Sequence, residues 1–168
     1  MLGKNISEML NKQIAMEFGA SNLYLQMSAY FDFLGYKGFA SYFKKQSEDE
    51  REHGLCVYDY LVKNRADVDI GTIAAQEIFW SKPLACIDAY FATELSVTEA
   101  YTKMGVATTL ANDLVTLSLV TDFLDLQKGE EKEAFDLLLK VKAVDENYAA
   151  LMILDNDLNK EVISVEFE

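Results

Sequence analysis

The chain has 168 residues, enough for one domain whose core needs no disulfide or structural metal. Hydrophobic residues make up 51% and charged residues 26%, which excludes a disordered chain, and eight Gly with a single Pro argue against a turn-rich β-sandwich. A net charge of −13 disfavours nucleic acid and anionic membranes as partners and favours cations. Cys56 and Cys86 have no zinc spacing and frame no disulfide scaffold. With no apolar signal region at the N-terminus and no run of eighteen apolar residues, the expectation is a cytoplasmic protein without a membrane segment.

Apolar positions recur at alternating intervals of three and four, the helical period, with no composition break and no short internal repeat. The expected architecture is all-α and a single domain over residues 1–168: four long helices and a short fifth. The first helix is predicted over about Asn5 to Leu34, with Asn5 and Glu8 as a capping pair and Gly35 as its end. A very short turn leads to a second helix over about Gly38 to Asn64, so these two should be antiparallel neighbours. The third is predicted from near Ser81, where Ser81 can cap and Pro83 is tolerated in the first turn, to near Thr108. The fourth begins at about Asn112 or Asp113 and runs to about Lys142. The fifth covers roughly Asp145 to Leu158, and the last ten residues read as an acidic tail carrying Glu161, Glu166 and Glu168.

Between the second and third helices, Arg65 to Trp80 shows no period and carries Gly71. A helix of about 28 residues is roughly 42 Å long, and sixteen extended residues reach roughly 53 Å. The segment can therefore run the length of a bundle, leaving the second and third helices parallel, with Ile70, Ile73, Ile78 and Phe79 packed against it. That is a four-helix bundle with one long crossover.

Writing out the inward seam of each helix shows where the core is interrupted. The first reads Ile6, Leu10, Gln13, Glu17, Ala20, Tyr24, Met27, Phe31, Leu34, and the second Phe39, Phe43, Gln46, Glu50, His53, Val57, Tyr60. The third reads Leu84, Ile87, Phe91, Glu94, Thr98, Tyr101, and the fourth Val120, Phe123, Gln127, Glu130, Ala134, Leu137, Val141. Each seam carries a carboxylate within about three residues, roughly 5 Å, of its helix midpoint, and midpoints meet at one height whichever way a helix runs. Glu17, Glu50, His53, Glu94, Gln127 and Glu130 should therefore converge in the bundle core.

Unpaired buried charge costs several kcal/mol per group. Protonation relieves part of that cost, and no seam supplies Lys or Arg. Cations are the remaining answer, and oxygen-rich ligation with one imidazole suits iron or manganese better than zinc or copper. Two-metal bundle sites place one Glu on each of two helices and Glu-x-x-His on the others. Glu50-Arg51-Glu52-His53 is one such motif, with both ligands on one helix face. The second is altered to Gln127-x-x-Glu130, which implies two unequal metal positions. Taken singly, a Glu-x-x-His on a helix is usually surface decoration, Tyr24 is an ordinary core tyrosine, and Glu48, Asp49 and Glu52 form a solvated face.

At these residues the sequence resembles the ferritin family, of the bacterial non-haem type. The resemblance covers nearly the whole chain and rests on Glu17 with Asn22 to Ala29, on Glu50-x-x-His53, on Glu94 and on Gln127-x-x-Glu130. It implies that Glu17, Glu50 and His53 hold one iron, that Glu50, Glu94 and Glu130 hold the other, that Gln127 lies close to the second and that Tyr24 stands just behind the ligands. It further implies a ferroxidase that oxidises Fe²⁺ with O₂ or H₂O₂ and stores ferric oxyhydroxide inside a homo-oligomeric cage of twenty-four subunits. Bacterioferritins carry a haem-binding Met in the second helix and a His late in the fourth. Glu52 and Glu130 stand at those positions here, so no haem is expected. A third iron site beside the centre is expected to be weak or absent, because Asp49 is kept but Leu126 and Gly129 stand where further acids belong. Two other classes remain open. One is a non-storage di-iron redox enzyme of rubrerythrin type; the other is a structural helical bundle or a miniature ferritin relative.

Overall fold

The computed structural model describes residues 2–75, 79–144 and 147–165, with the side chains of 161–165 left aside. Five helices follow in order: α1 (Lys4–Leu34), α2 (Lys37–Lys63), α3 (Pro83–Leu110), α4 (Leu114–Val144) and α5 (Tyr148–Val165). No strand occurs among the described residues, and no described helix is long and apolar enough to cross a membrane.

The helix ends follow from local chemistry. Gly35 takes a left-handed φ of 88°, and the N–H groups of Gly35 and Tyr36 close back on Asp32 O and Phe31 O, ending α1 as expected. Asn112 does the same after α3 with φ 53°, and Asp113 then caps α4 through Oδ1 to the Thr116 N–H at 3.1 Å. Two expected caps are corrected. The first helix begins at Lys4 after Gly3 with no side-chain cap, since Ser7 N–H already bonds Gly3 O and leaves the Asn5 side chain to lie near Met9. Extended Lys82, rather than Ser81, precedes α3, and Pro83 takes the first turn, where its missing N–H costs nothing. The fifth helix is also corrected. Asn147 caps it through Oδ1 to the Ala150 N–H at 3.2 Å, and it continues to Val165 because no Gly or Pro interrupts it. The residues expected to form a tail are thus largely helical; Asp145, Glu166 and Glu168 lie outside the described residues, as does the Glu161 side chain.

Two apolar clusters fix the topology. One gathers Ile6, Leu10 and Ile14 of α1 with Val57 and Leu61 of α2, Val97, Tyr101 and Met104 of α3, and Val120 and Phe123 of α4. The other joins the opposite ends: Phe31, Phe39, Phe43, Ile87, Tyr90, Leu137 and Val141, with Leu151 and Leu158 of α5. So α1 and α2 are antiparallel, α3 and α4 are antiparallel, and α2 runs parallel to α3. The crossover spans the bundle as required. Asn11 holds its start, donating to Asp67 O at 3.0 Å and accepting from the Asp69 N–H at 2.8 Å. Ile70 packs on the first cluster, and Trp80 is buried at the far end against Tyr30. Phe79, expected inward, points out at 74% exposure with Trp80 taking the inward place, and Ile78 lies outside the described residues.

Each fully buried Phe or Leu of these clusters contributes about 1.5–3 kcal/mol. Small residues bring α1 and α2 close: Ser21 Oγ donates to Ser47 O and Ser28 Oγ to Ala40 O, both at 2.7 Å. Between the clusters lies a layer of buried polar side chains.

Candidate metal centre

All six seam residues meet in that layer. Glu17, Glu50, Glu94 and Gln127 are buried, while the side chains of Glu130 and His53 keep 15% and 17% of their surface exposed. Ligand atoms of Glu17, Glu50 and His53 lie within 4.8 Å of one another, and so do those of Glu50, Glu94 and Glu130. Glu50 belongs to both groups. His53 Nδ1 stands 3.3 Å from Glu50 Oε2, and its Nε2 stands 3.6 Å from Glu130 Oε1.

Neighbours steady the carboxylates from behind. Gln13 Nε2 donates to Glu17 Oε1 at 2.9 Å, and the Tyr101 hydroxyl donates to the same oxygen at 2.6 Å. The Tyr24 hydroxyl donates to Glu94 Oε1, and Gln127 Nε2 donates to Glu94 Oε2 at 2.6 Å. Among the described residues, two buried carboxylate oxygens, Glu17 Oε2 and Glu130 Oε2, are left without a hydrogen-bond partner.

Burial pushes the Glu50 carboxyl far above its ordinary range, with Glu17 and Glu94 adding repulsion. Burial, then Glu94 and Glu17, pushes Glu130 up to about 8. Burial raises Glu94 as well, against the Tyr24 and Gln127 hydrogen bonds that lower it. An oxygen-rich donor set with one imidazole, two orphaned oxygens and, among the described residues, no basic ion-pair partner other than His53 fits hard or borderline divalent cations.

Outside this cluster, Glu48 and Glu52 are exposed, and Asp49 pairs with Lys45 at 2.8 Å. The seam of the third helix is corrected: Tyr90 and Val97 face inward, while Phe91 packs against Phe135 and Thr98 bonds Glu131. Gln13 and Tyr101 stand on inward seams in the sequence but are not among the residues expected at the centre. Their spacing held the signal, since Gln13 lies one turn before Glu17 and Tyr101 two turns after Glu94.

A bundle with one crossover and a polyglutamate layer at mid-height is the architecture of ferritin-like proteins. The description of the ferritin family, a ferritin-like domain, matches residues 7–144, and the chain belongs to the ferritin family. It is 29% identical over 166 residues to a bacterial non-heme ferritin of Staphylococcus aureus strain USA300, covering 99% of this chain and 100% of that protein. A bacterial non-heme ferritin of Bacteroides fragilis is 29% identical over 160 residues, covering 95% and 99%. Among solved structures, an open pore ferritin from Archaeoglobus fulgidus superposes with a TM-score of 0.92 at 27% identity, covering 95% of this chain and 98% of that one. Family membership makes this an iron-handling protein, in the broad class of iron storage and oxidation.

Proposed function

We propose that the protein is a cytoplasmic iron-storage ferroxidase. It oxidises Fe²⁺ at a dinuclear centre within each subunit and deposits ferric oxyhydroxide inside a homo-oligomeric cage of twenty-four copies. The observation that carries this reading is the pair of three-ligand groups sharing Glu50, with buried oxygens of Glu17 and Glu130 left unpartnered. Glu17, Glu50 and His53 hold one iron; Glu50, Glu94 and Glu130 hold the second, with Gln127 beside it. The full-length likeness to bacterial non-heme ferritins supports the storage role.

Carboxylate oxygens are hard donors and favour Fe³⁺ over Fe²⁺, which eases electron loss. Two ferrous ions give one electron each to O₂, which takes up two protons and leaves as H₂O₂. Hydrolysis of each ferric ion to oxyhydroxide then releases three protons. Before that, Glu50 and Glu130 must shed the protons that burial favours, so iron binding itself releases acid. Gln127 is neutral and is held on Glu94, so it binds iron more weakly than a carboxylate would. A centre that sheds its ferric product suits storage, and one that holds its metals suits a permanent cofactor.

Iron retained after aerobic Fe²⁺ loading and desalting separates the readings. Many more irons than the two one centre can hold mean storage. About two, tightly held, mean a rubrerythrin-type redox enzyme, and none leaves a structural bundle. For Glu50→Ala and for His53→Ala, fast oxidation is lost while assembly persists; an unchanged rate in either overturns the site assignment.

A further inference from the structure

Behind Glu94 the centre is backed by phenols. Tyr24 donates its hydroxyl to Glu94, and its ring meets that of Tyr90 edge-on, with 5.0 Å between centroids. The Tyr90 and Tyr42 hydroxyls are 3.0 Å apart and their rings 6.1 Å. Tyr24 and Tyr90 have no exposed surface, whereas Tyr42 keeps 7% and faces Glu133, an exposed carboxylate on α4. The line of three rings therefore runs from the metal ligands to the surface.

A neutral phenol yields an electron readily only where its proton has an acceptor. Each ring here has one: Glu94 for Tyr24, Glu133 for Tyr42 and, for Tyr90, Glu133 by way of the Tyr42 hydroxyl. The other tyrosine on the centre offers no such route. Tyr101 donates to Glu17, but its ring stacks on Phe123 at 4.7 Å, and a phenylalanine ring is too hard to oxidise to pass a vacancy onward.

We propose that Tyr24, Tyr90 and Tyr42 form a one-electron path between the α4 surface at Glu133 and the carboxylate centre. The path rests on the ferroxidase reading. A single ferrous ion meeting H₂O₂ supplies one electron, giving hydroxide and an oxidant at the level of hydroxyl radical. Tyr24 supplies the second electron: its O–H bond breaks, the proton passes to Glu94, and the oxidant takes a proton from solvent and leaves as water. Tyr90 then refills Tyr24 as Glu94 returns the proton; the proton of Tyr90 passes to the Tyr42 hydroxyl, which gives its own to Glu133. Tyr42 next gives Tyr90 one electron together with the proton shared between the two hydroxyls. A ferrous ion at the surface gives its electron to Tyr42, becoming ferric, and Glu133 returns the proton. In sum, two ferrous ions, one H₂O₂ and two protons give two ferric ions and two waters, with no radical left behind.

Freeze-quench EPR of the assembled protein, loaded with excess Fe²⁺ and mixed with H₂O₂, tests the path. In the wild type the tyrosyl signal is short-lived. In Tyr90→Phe the radical is stranded on Tyr24 and decays about tenfold more slowly or beyond. The double variant Tyr42→Phe/Tyr90→Phe removes both hydroxyls of the buried pair, leaves no unpaired donor, and strands the radical in the same way. Tyr24→Phe abolishes the signal. Decay at the wild-type rate in the single and double variants, a signal that survives Tyr24→Phe, or no radical in any variant overturns the path while Fe²⁺ oxidation proceeds. Ferric absorbance reads the other failure: a wild type that oxidises no Fe²⁺ overturns the ferroxidase reading and the path with it.

Discussion

At Gly54 the backbone of α2 passes so close to α1 that an added Cβ would lie 2.6 Å from the Phe18 ring and 3.3 Å from the Glu17 Cβ. Phe18 is also held beneath the Arg51 guanidinium, 5.6 Å from its ring centre. Gly54→Ala therefore pushes on the stretch of α1 that carries Glu17, and overpacking of this kind costs about 1–3 kcal/mol. Gly129, in the middle of α4, has no atom within 4 Å of an added Cβ, so Gly129→Ala is expected to add about 1 kcal/mol through helix propensity. Thermal denaturation of the two variants should move in opposite directions. Glu130 gives the centre a pH signature at this same scale. Its carboxyl is raised from 4.5 to about 8 in the folded chain, so the folded state binds the extra proton between those values. Its contribution to stability is fully present below pH 4.5 and is lost as pH rises through about 8. Metal-free protein should thus become less stable across that window in denaturant titrations, and added divalent cation should restore stability most at the alkaline end.

Among the elements, α5 is fixed by one buried carboxylate. Asp155 is 4% exposed, and its Oδ1 accepts the Phe39 N–H at 2.9 Å, where the N-terminus of α2 favours negative charge. Its backbone oxygen presses so near Gly38 that a Cβ there would lie 1.7 Å away, so the helices meet backbone to backbone. Asp155→Ala leaves a buried N–H unpaired at a cost of about 1–2 kcal/mol. Hydrogen exchange should then quicken along α5 ahead of α1 to α4; uniform quickening would mean that Asp155 supports the whole bundle instead. The sequence made parts of this arrangement readable and hid others. Glu17, Glu50, Glu94 and Gln127 stood out because a polar residue in an apolar seam is costly unless it has work. Tyr90 did not, because α3 is apolar on most faces and its period could not choose between Tyr90 and Phe91. The extent of α5 and its docking through Asp155 were hidden for another reason: a carboxylate among helix residues gives no sign of a partner more than a hundred positions away.

For the molecule as a whole, the crossover decides which ends of the helices meet and so sets the polar layer at one height. Its length was legible from Arg65 to Trp80, because only a strap of that reach can connect parallel helices. It also parts the chain into two hairpins drawn to one plan. Thirty-three residues separate Glu94 from Gln127, the same interval separates Glu17 from Glu50, and a further candidate ligand follows three positions later in each, as His53 and as Glu130. The centre is thus assembled from two half-sites of common design, each incomplete without the other, and they differ where Gln127 replaces Glu50 and Glu130 replaces His53. On the proposed dinuclear reading, that imbalance would give the two metals unequal tenure. Gln127→Glu evens the halves, and in a chase with a ferric chelator the variant should surrender product iron more slowly than the wild type; faster release would show that tenure is set elsewhere. Broken symmetry between repeated halves would then be the means by which a metal-binding bundle becomes a place that metal passes through.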